Sequence, residues 1–160
     1  MKAERVFVGL GANLGDPQTT LQHAFAALAA LPQTRLVAHS SLYRTAPILA
    51  IGPDFINAVA ELRTALQPQA LLHALQAIEL AHGRQRPYRN APRTLDLDLL
   101  LFGQRLVQEP GLEVPHARLH ERAFVLQPLL ELAPKLVHPR LGCLQLLLAA
   151  TADQPIERLR

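Results

Sequence analysis

The chain has 160 residues, 49% apolar and 18% charged, which fits one globular domain over residues 1–160 with a substantial core and argues against disorder. Its longest apolar runs, residues 146–150 and 99–102, fall far short of the roughly 20 residues that cross a bilayer, and residues 1–5 lead into no secretory signal, so a cytoplasmic protein is expected. The formal charge is only +3, and the single cysteine, Cys143, excludes an intrachain disulfide and a thiolate zinc cluster and is expected to be an inert buried thiol.

Residues 5–10 read as a buried strand, followed by a glycine-rich turn over residues 11–15 that is expected to position Asn13. Asp16 and Pro17 suit an N-cap and a first helical position, and Leu21, Ala24, Phe25 and Leu28 recur at the spacing that buries one helical face. This helix should end near residues 31–32. Two extended segments follow, residues 35–45 and 55–64, separated by a Pro/Gly-containing stretch, which predicts a hairpin with a long connection. Pro68 opens a second helix with Leu71, Leu75 and Ile78 on one face, Gln76 and Glu79 on another, and Gly83 placed to terminate it.

Arg84, Arg86, Arg89 and Arg93 then crowd a segment with no acid and two prolines, which reads as an exposed loop. Residues 94–102 predict a strand, Gly103 a turn, and residues 105–108 a strand pairing back; residues 124–132 and 144–150 predict helices. The order strand, helix, strand, strand, helix, strand is that of an α+β, ferredoxin-like split β-α-β core with an antiparallel sheet, long loops and C-terminal helices.

The most informative pattern is Arg-Thr-Leu-Asp-Leu-Asp-Leu-Leu at residues 93–100. On a strand, Asp96 and Asp98 point to one face with Cα atoms about 6 to 7 Å apart, while Leu95, Leu97 and Leu99 anchor the other face. Hard oxygen donors suit magnesium, which shares its shell with water and substrate phosphates. A solvated edge strand produces the same pattern, but the arginines just upstream are what a nucleotide triphosphate requires. Gly9, Gly11 and Gly15 miss the dinucleotide fingerprint by one residue, and no Walker phosphate loop occurs. His116 and His120 lie four apart, but Pro115 precedes them and no third ligand is evident, so zinc is not expected.

Several stretches occur in the order found in one family. Residues 9–15 (Gly-Leu-Gly-Ala-Asn-Leu-Gly), 41–47 (Ser-Leu-Tyr-Arg-Thr-Ala-Pro), 55–58 (Phe-Ile-Asn-Ala) and 89–100, together with Val114-Pro115-His116 and Arg122-Ala123-Phe124, resemble the 6-hydroxymethyl-7,8-dihydropterin pyrophosphokinases of folate biosynthesis. The likeness runs from Val6 through Pro139. It implies an ATP- and magnesium-dependent diphosphokinase that moves the whole diphosphate of ATP to the pterin hydroxymethyl oxygen, leaving AMP. Asp96 and Asp98 would then hold two magnesium ions, and Arg84, Arg86 and Arg93 would grip the phosphates. His116 and Arg122 would contact ATP, joined by Gln76 and Glu79. The resemblance places the pterin ring between Phe55 and Phe124, with Asn57 and the main chain around Thr45, Ala46 and Ile48 on its polar edge.

The chain departs from some relatives in carrying Phe55 for Tyr, Asn90 for Trp in a loop one residue shorter, and Gly111 and Glu113 just before Val114. A monomer that binds neither nucleic acid nor membrane is expected. A non-catalytic nucleotide or pterin binder is the alternative. A ferredoxin-like RNA-binding module, suggested by a pI near 9.6, is disfavoured because the strands are aliphatic where such modules stack bases on aromatics.

Overall fold

The computed structural model describes residues 3–46, 52–82 and 95–159. Strand β1 (Glu4–Ala12) alternates in the period-2 manner, with Val6, Val8, Leu10 and Ala12 in one core and Phe7 in another. Helix α1 (Pro17–Ala29) starts where expected: the Asp16 carboxylate accepts the Thr19 N–H at 3.2 Å, and Leu21, Ala24, Phe25 and Leu28 are buried. Strands β2 (Thr34–His39), β3 (Tyr43–Thr45) and β4 (Phe55–Thr64) follow, then helix α2 (Pro68–Ala81) and strand β5 (Asp96–Phe102).

Strand β4 lies antiparallel to β1 along its length, from Glu4↔Thr64 to Ala12↔Ile56. On its other edge it pairs with β2 at one end and β3 at the other. Strand β5 closes the opposite edge against β1. The sheet is thus the antiparallel ferredoxin-like arrangement expected from the element order, with α1 and α2 contributing to the core on one face.

The remaining chain covers the other face. A hairpin of β6 (Val107–Glu109) and β7 (Leu112–Val114) leads through a 3₁₀ turn, Leu119–Glu121, into helix α3 (Ala123–Leu132). Val125, Leu126, Leu129 and Leu130 of α3 pack with Phe7, Val59, Leu100 and Leu101 in the second core. A bulge assists: Phe7 pairs with Leu101 and Val8 with Leu99, so Leu100 is the extra residue and consecutive leucines bury on the α3 side. Strands β8 (Val137–His138) and β9 (Gly142–Cys143) form a short ladder, a 3₁₀ helix spans Leu144–Thr151, and β10 (Glu157–Arg158) pairs with β3. No helix among the described residues is long and apolar enough to cross a membrane.

Several local expectations are corrected. Gly11 and Ala12 belong to β1 rather than to a turn, because β4 still offers them partners. The extended segment at residues 35–45 is broken at Ser40, whose hydroxyl accepts the Val59 N–H at 2.9 Å and so replaces a ladder bond with a side-chain one. Residues 105–108 do not pair back on β5: the Gly103 N–H goes to the Arg5 carbonyl at 2.7 Å, Arg105 turns to Glu4 and Gln67, and β6 pairs with β7. The segment at residues 144–150 is 3₁₀ rather than α, and within it Leu146 is 79% exposed, so no continuous buried stripe supports an α-helix. Cys143 is half-buried rather than buried. Gln76 and Glu79 do not share a face: Glu79 is buried with Leu71, Leu75 and Ile78, and Gln76 is exposed.

Candidate active site

Strand β5 carries the two aspartates as its alternation requires, with Leu95, Leu97 and Leu99 held in the α1/α2 core. Directly across on β1, Gly11 faces Asp96 and Gly9 faces Asp98, and one strand further Asn57 lies opposite Gly11. Positions without side chains therefore leave an open floor between the carboxylates and the amide. A methyl group at Gly11 would lie 3.0 Å from Asn57 Oδ1, tighter than ordinary packing, whereas one at Gly9 would meet Leu100 at an ordinary 3.5 Å.

Asn57 is 4% exposed, and its Nδ2 donates to Thr45 Oγ1 at 2.8 Å. That bond uses one of the two amide hydrogens and sets the orientation of the group. A cavity of about 410 Å³ opens above it. Thr45, Ala46, Phe55, Asn57, Asp96 and Asp98 line one side, and Arg122 and Phe124 come from the start of α3. The Arg122 guanidinium lies 5.4 Å from the centre of the Phe124 ring, within cation–π range.

A second opening, about 640 Å³, shares Asp98, Arg118 and Arg122 with the first and continues past the edge of β5. Its apolar wall is Leu72, Leu97, Leu99 and Leu112; Gly111, Glu109, Glu113 and His116 are among the residues that line the rest. The His116 N–H donates to the Leu100 carbonyl at 2.9 Å, fixing this loop against β5. Its Nδ1 accepts the Arg118 N–H at 3.2 Å, so the neutral ring carries its proton on Nε2. Burial, helped by Arg122 and Arg118, holds His116 below the usual imidazole range, although Asp98 and Glu113 pull the other way.

The fold thus brings together Asp96, Asp98, Thr45, Ala46, Phe55, Asn57, Phe124, Arg122 and His116 around two joined openings. Gln76 and Glu79 line neither; the Glu79 carboxylate accepts the Leu97 N–H at 2.9 Å, between the two aspartates, and so supports β5 from beneath. Arg84, Arg86, Arg93 and Ile48 lie outside the described residues. Arg118 and Glu121, which the sequence reading missed, also line the first cavity; nothing in their local sequence marks them. The glycine floor did leave a signal, since Gly9 and Gly11 are spaced two apart on a strand.

Among the described residues no group of three or more His, Cys, Asp or Glu side chains is gathered for a metal. Two carboxylates make no protein cage. Their oxygen donors do fit a magnesium ion, which completes its shell from water and phosphate oxygens.

Residues 7–134 match the family described as 7,8-dihydro-6-hydroxymethylpterin-pyrophosphokinase (HPPK). A protein of Pseudomonas aeruginosa named 2-amino-4-hydroxy-6-hydroxymethyldihydropteridine pyrophosphokinase is 53% identical over 157 residues, 98% of this chain and 97% of its own length. A protein of the same name from Haemophilus influenzae is 41% identical over 154 residues, 96% of each chain. Among solved structures, an HPPK-DHPS in complex with substrates superposes with a TM-score of 0.76 at 12% identity, over 96% of this chain and 44% of that one. The Plasmodium falciparum HPPK-DHPS superposes with a TM-score of 0.72 at 13% identity, over 92% and 41%. The chain spans under half of these longer proteins, and at such identity the likeness concerns the fold alone.

Proposed function

The chain belongs to the 7,8-dihydro-6-hydroxymethylpterin-pyrophosphokinase family, and from that premise we propose how its cleft divides the work between two substrates. The reaction is pyrophosphoryl transfer in folate biosynthesis. The donor is ATP and the acceptor is the hydroxymethyl group of the reduced pterin. A bond forms between the hydroxymethyl oxygen and the β-phosphorus, the α–β bridge breaks, AMP leaves, and the hydroxyl proton is lost.

The first cavity takes the pterin. Phe55 and Phe124 line it and are the groups to stack on a flat heterocycle, and Asn57 and Thr45 form its buried polar end. An analogue lacking the matching polar groups would leave that end unsatisfied, which is the source of specificity. The second opening takes the nucleotide, with its leucine wall for the base and Arg118, Arg122 and the His116 Nε2–H for the phosphates. Arg84, Arg86 and Arg93 add guanidinium groups, a part of the proposal that rests on their place in the sequence. Asp96 and Asp98 hold magnesium, which when bound neutralises polyphosphate charge. Asp98 belongs to both openings and so stands where the two substrates meet.

That shared position is the observation that carries the proposal. Removing divalent cations with EDTA should abolish transfer and excess magnesium should restore it. Asp98→Ala should lower turnover by at least about a hundredfold, the scale for losing a preorganised charge-stabilising group, without altering the melting temperature by more than a surface substitution does. Transfer that survives both chelation and this substitution would overturn the assignment.

A further inference from the structure

Helix α3 begins at a residue that does not cap it. Its N-cap is Arg122, which makes no side-chain bond to the first-turn N–H groups, and its guanidinium lies instead over Phe124 in the cleft. Helix starts need an acceptor, ordinarily from Ser, Thr, Asp or Asn at that position. Here it arrives from far along the chain: Gln154 Oε1 accepts the Ala123 N–H at 2.8 Å, and Gln154 Nε2 donates to the Glu121 carbonyl at 2.8 Å. One amide grips the backbone on both sides of Arg122.

Gln154 is itself held in place. Its N–H donates to the Thr151 carbonyl at 3.0 Å, and Thr151 is buried with its hydroxyl donating to the Leu148 carbonyl at 2.8 Å. Beyond it the tail joins the opposite wall of the cavity. Strand β10 pairs with β3, and the Leu159 N–H donates to the Leu42 carbonyl at 2.8 Å. The tail therefore touches both the element carrying Arg122 and Phe124 and the element ending in Thr45.

We propose that Gln154 is a positioning residue for the transfer reaction, a surrogate N-cap that fixes Arg122 and Phe124 against the pterin and the nucleotide. The cap is delegated to the tail because the residue at the cap position points its side chain into the cleft. This inference rests on the proposed pterin site, and the test separates the two.

Pterin affinity and melting temperature are measured for the wild type, Phe124→Ala, Gln154→Ala and the double variant, with KM for ATP on each. Phe124→Ala alone tests the site, and unaltered pterin affinity there removes Phe124 from it. Gln154 is then judged by whether Gln154→Ala raises KM for ATP, through Arg122. With the site intact, Gln154→Ala should weaken pterin binding by about tenfold, the scale of two lost hydrogen bonds. In the Phe124→Ala background it should cost no more than about twofold, since residues that act as a unit do not add. A fall in melting temperature with both substrates bound as before, or an equal loss of pterin affinity in both backgrounds, would reduce Gln154 to a structural cap and overturn the inference. Should Gln154→Ala not fold, Gln154→Glu keeps the acceptor for Ala123 but turns an oxygen toward the Glu121 carbonyl in place of the donor, and should weaken pterin binding at least about threefold relative to the wild type. Wild-type affinity there would overturn the two-sided grip.

Discussion

At the scale of single residues, what is missing from a position matters as much as what is present. Gly9 and Gly11 are neighbours of the two aspartates across the sheet, yet the space above them differs. Gly11→Ala should displace the Asn57 amide from its bond to Thr45 and weaken pterin binding by about tenfold or more, on the scale of a buried polar group losing its partner. Gly9→Ala meets Leu100 at ordinary contact distance and should change pterin affinity by less than about threefold, within the range of a tolerated small substitution. Titration of both variants with the pterin checks the contrast; equal affinities would mean that the floor does not govern Asn57. The paired aspartates were legible in the sequence because strand alternation alone puts them on one face. Arg118 was not, because it reaches the cleft through the path of the β6–β7 hairpin and the turn after it, which no local spacing encodes.

At the scale of elements, β5 is the part on which the site depends. Its inner face is leucine packed in the core, and its backbone is held from below by Glu79 of α2 at Leu97. Glu79→Ala removes a charged acceptor from a buried N–H and should cost about 1.5 to 3 kcal/mol, whereas Gln76→Ala, one turn earlier and exposed, should stay within about 0.5 kcal/mol. Denaturant unfolding of the two variants measures the difference, and equal losses would show that Glu79 does not support β5. Amphipathic α1 and α2 could be read from the sequence because their apolar residues recur at helical spacing. Two elements could not. Ser40 interrupts an otherwise strand-like run by bonding a backbone group two strands' length away in sequence, and β6 chooses β7 over β5 only because Gly103 and Arg105 are drawn to β1. Both outcomes are decided by partners distant in the chain.

At the scale of the whole molecule, the sheet separates two cores; the first cavity opens between the sheet and the start of α3, and the second continues past β5 to Leu72 of α2. Stability should follow the groups that this packing buries. His138 is held below its ordinary 6.5 by burial, with His120 and Arg140 nearby, and its Nδ1 accepts the Arg140 and Leu141 N–H groups. The unfolded chain takes up a proton that the folded one refuses, so this contribution is complete above pH 6.5 and is lost as pH falls below it. Tyr43 behaves oppositely: burial and the hydrogen bond to Glu131 push it from 10.0 up to about 12, so its contribution is present below pH 10 and disappears as pH rises through 12. The melting temperature should therefore be highest between these limits and fall on either side, and a melting temperature that rises from pH 7 to pH 5 would contradict this account. Identifying the nucleotide product distinguishes transfer of a diphosphate from transfer of a single phosphate. After incubation with ATP, magnesium and 6-hydroxymethyl-7,8-dihydropterin, AMP and the pterin diphosphate should form in equal amounts. ADP as the product, or no nucleotide turnover beyond the pterin-free control, would contradict diphosphate transfer.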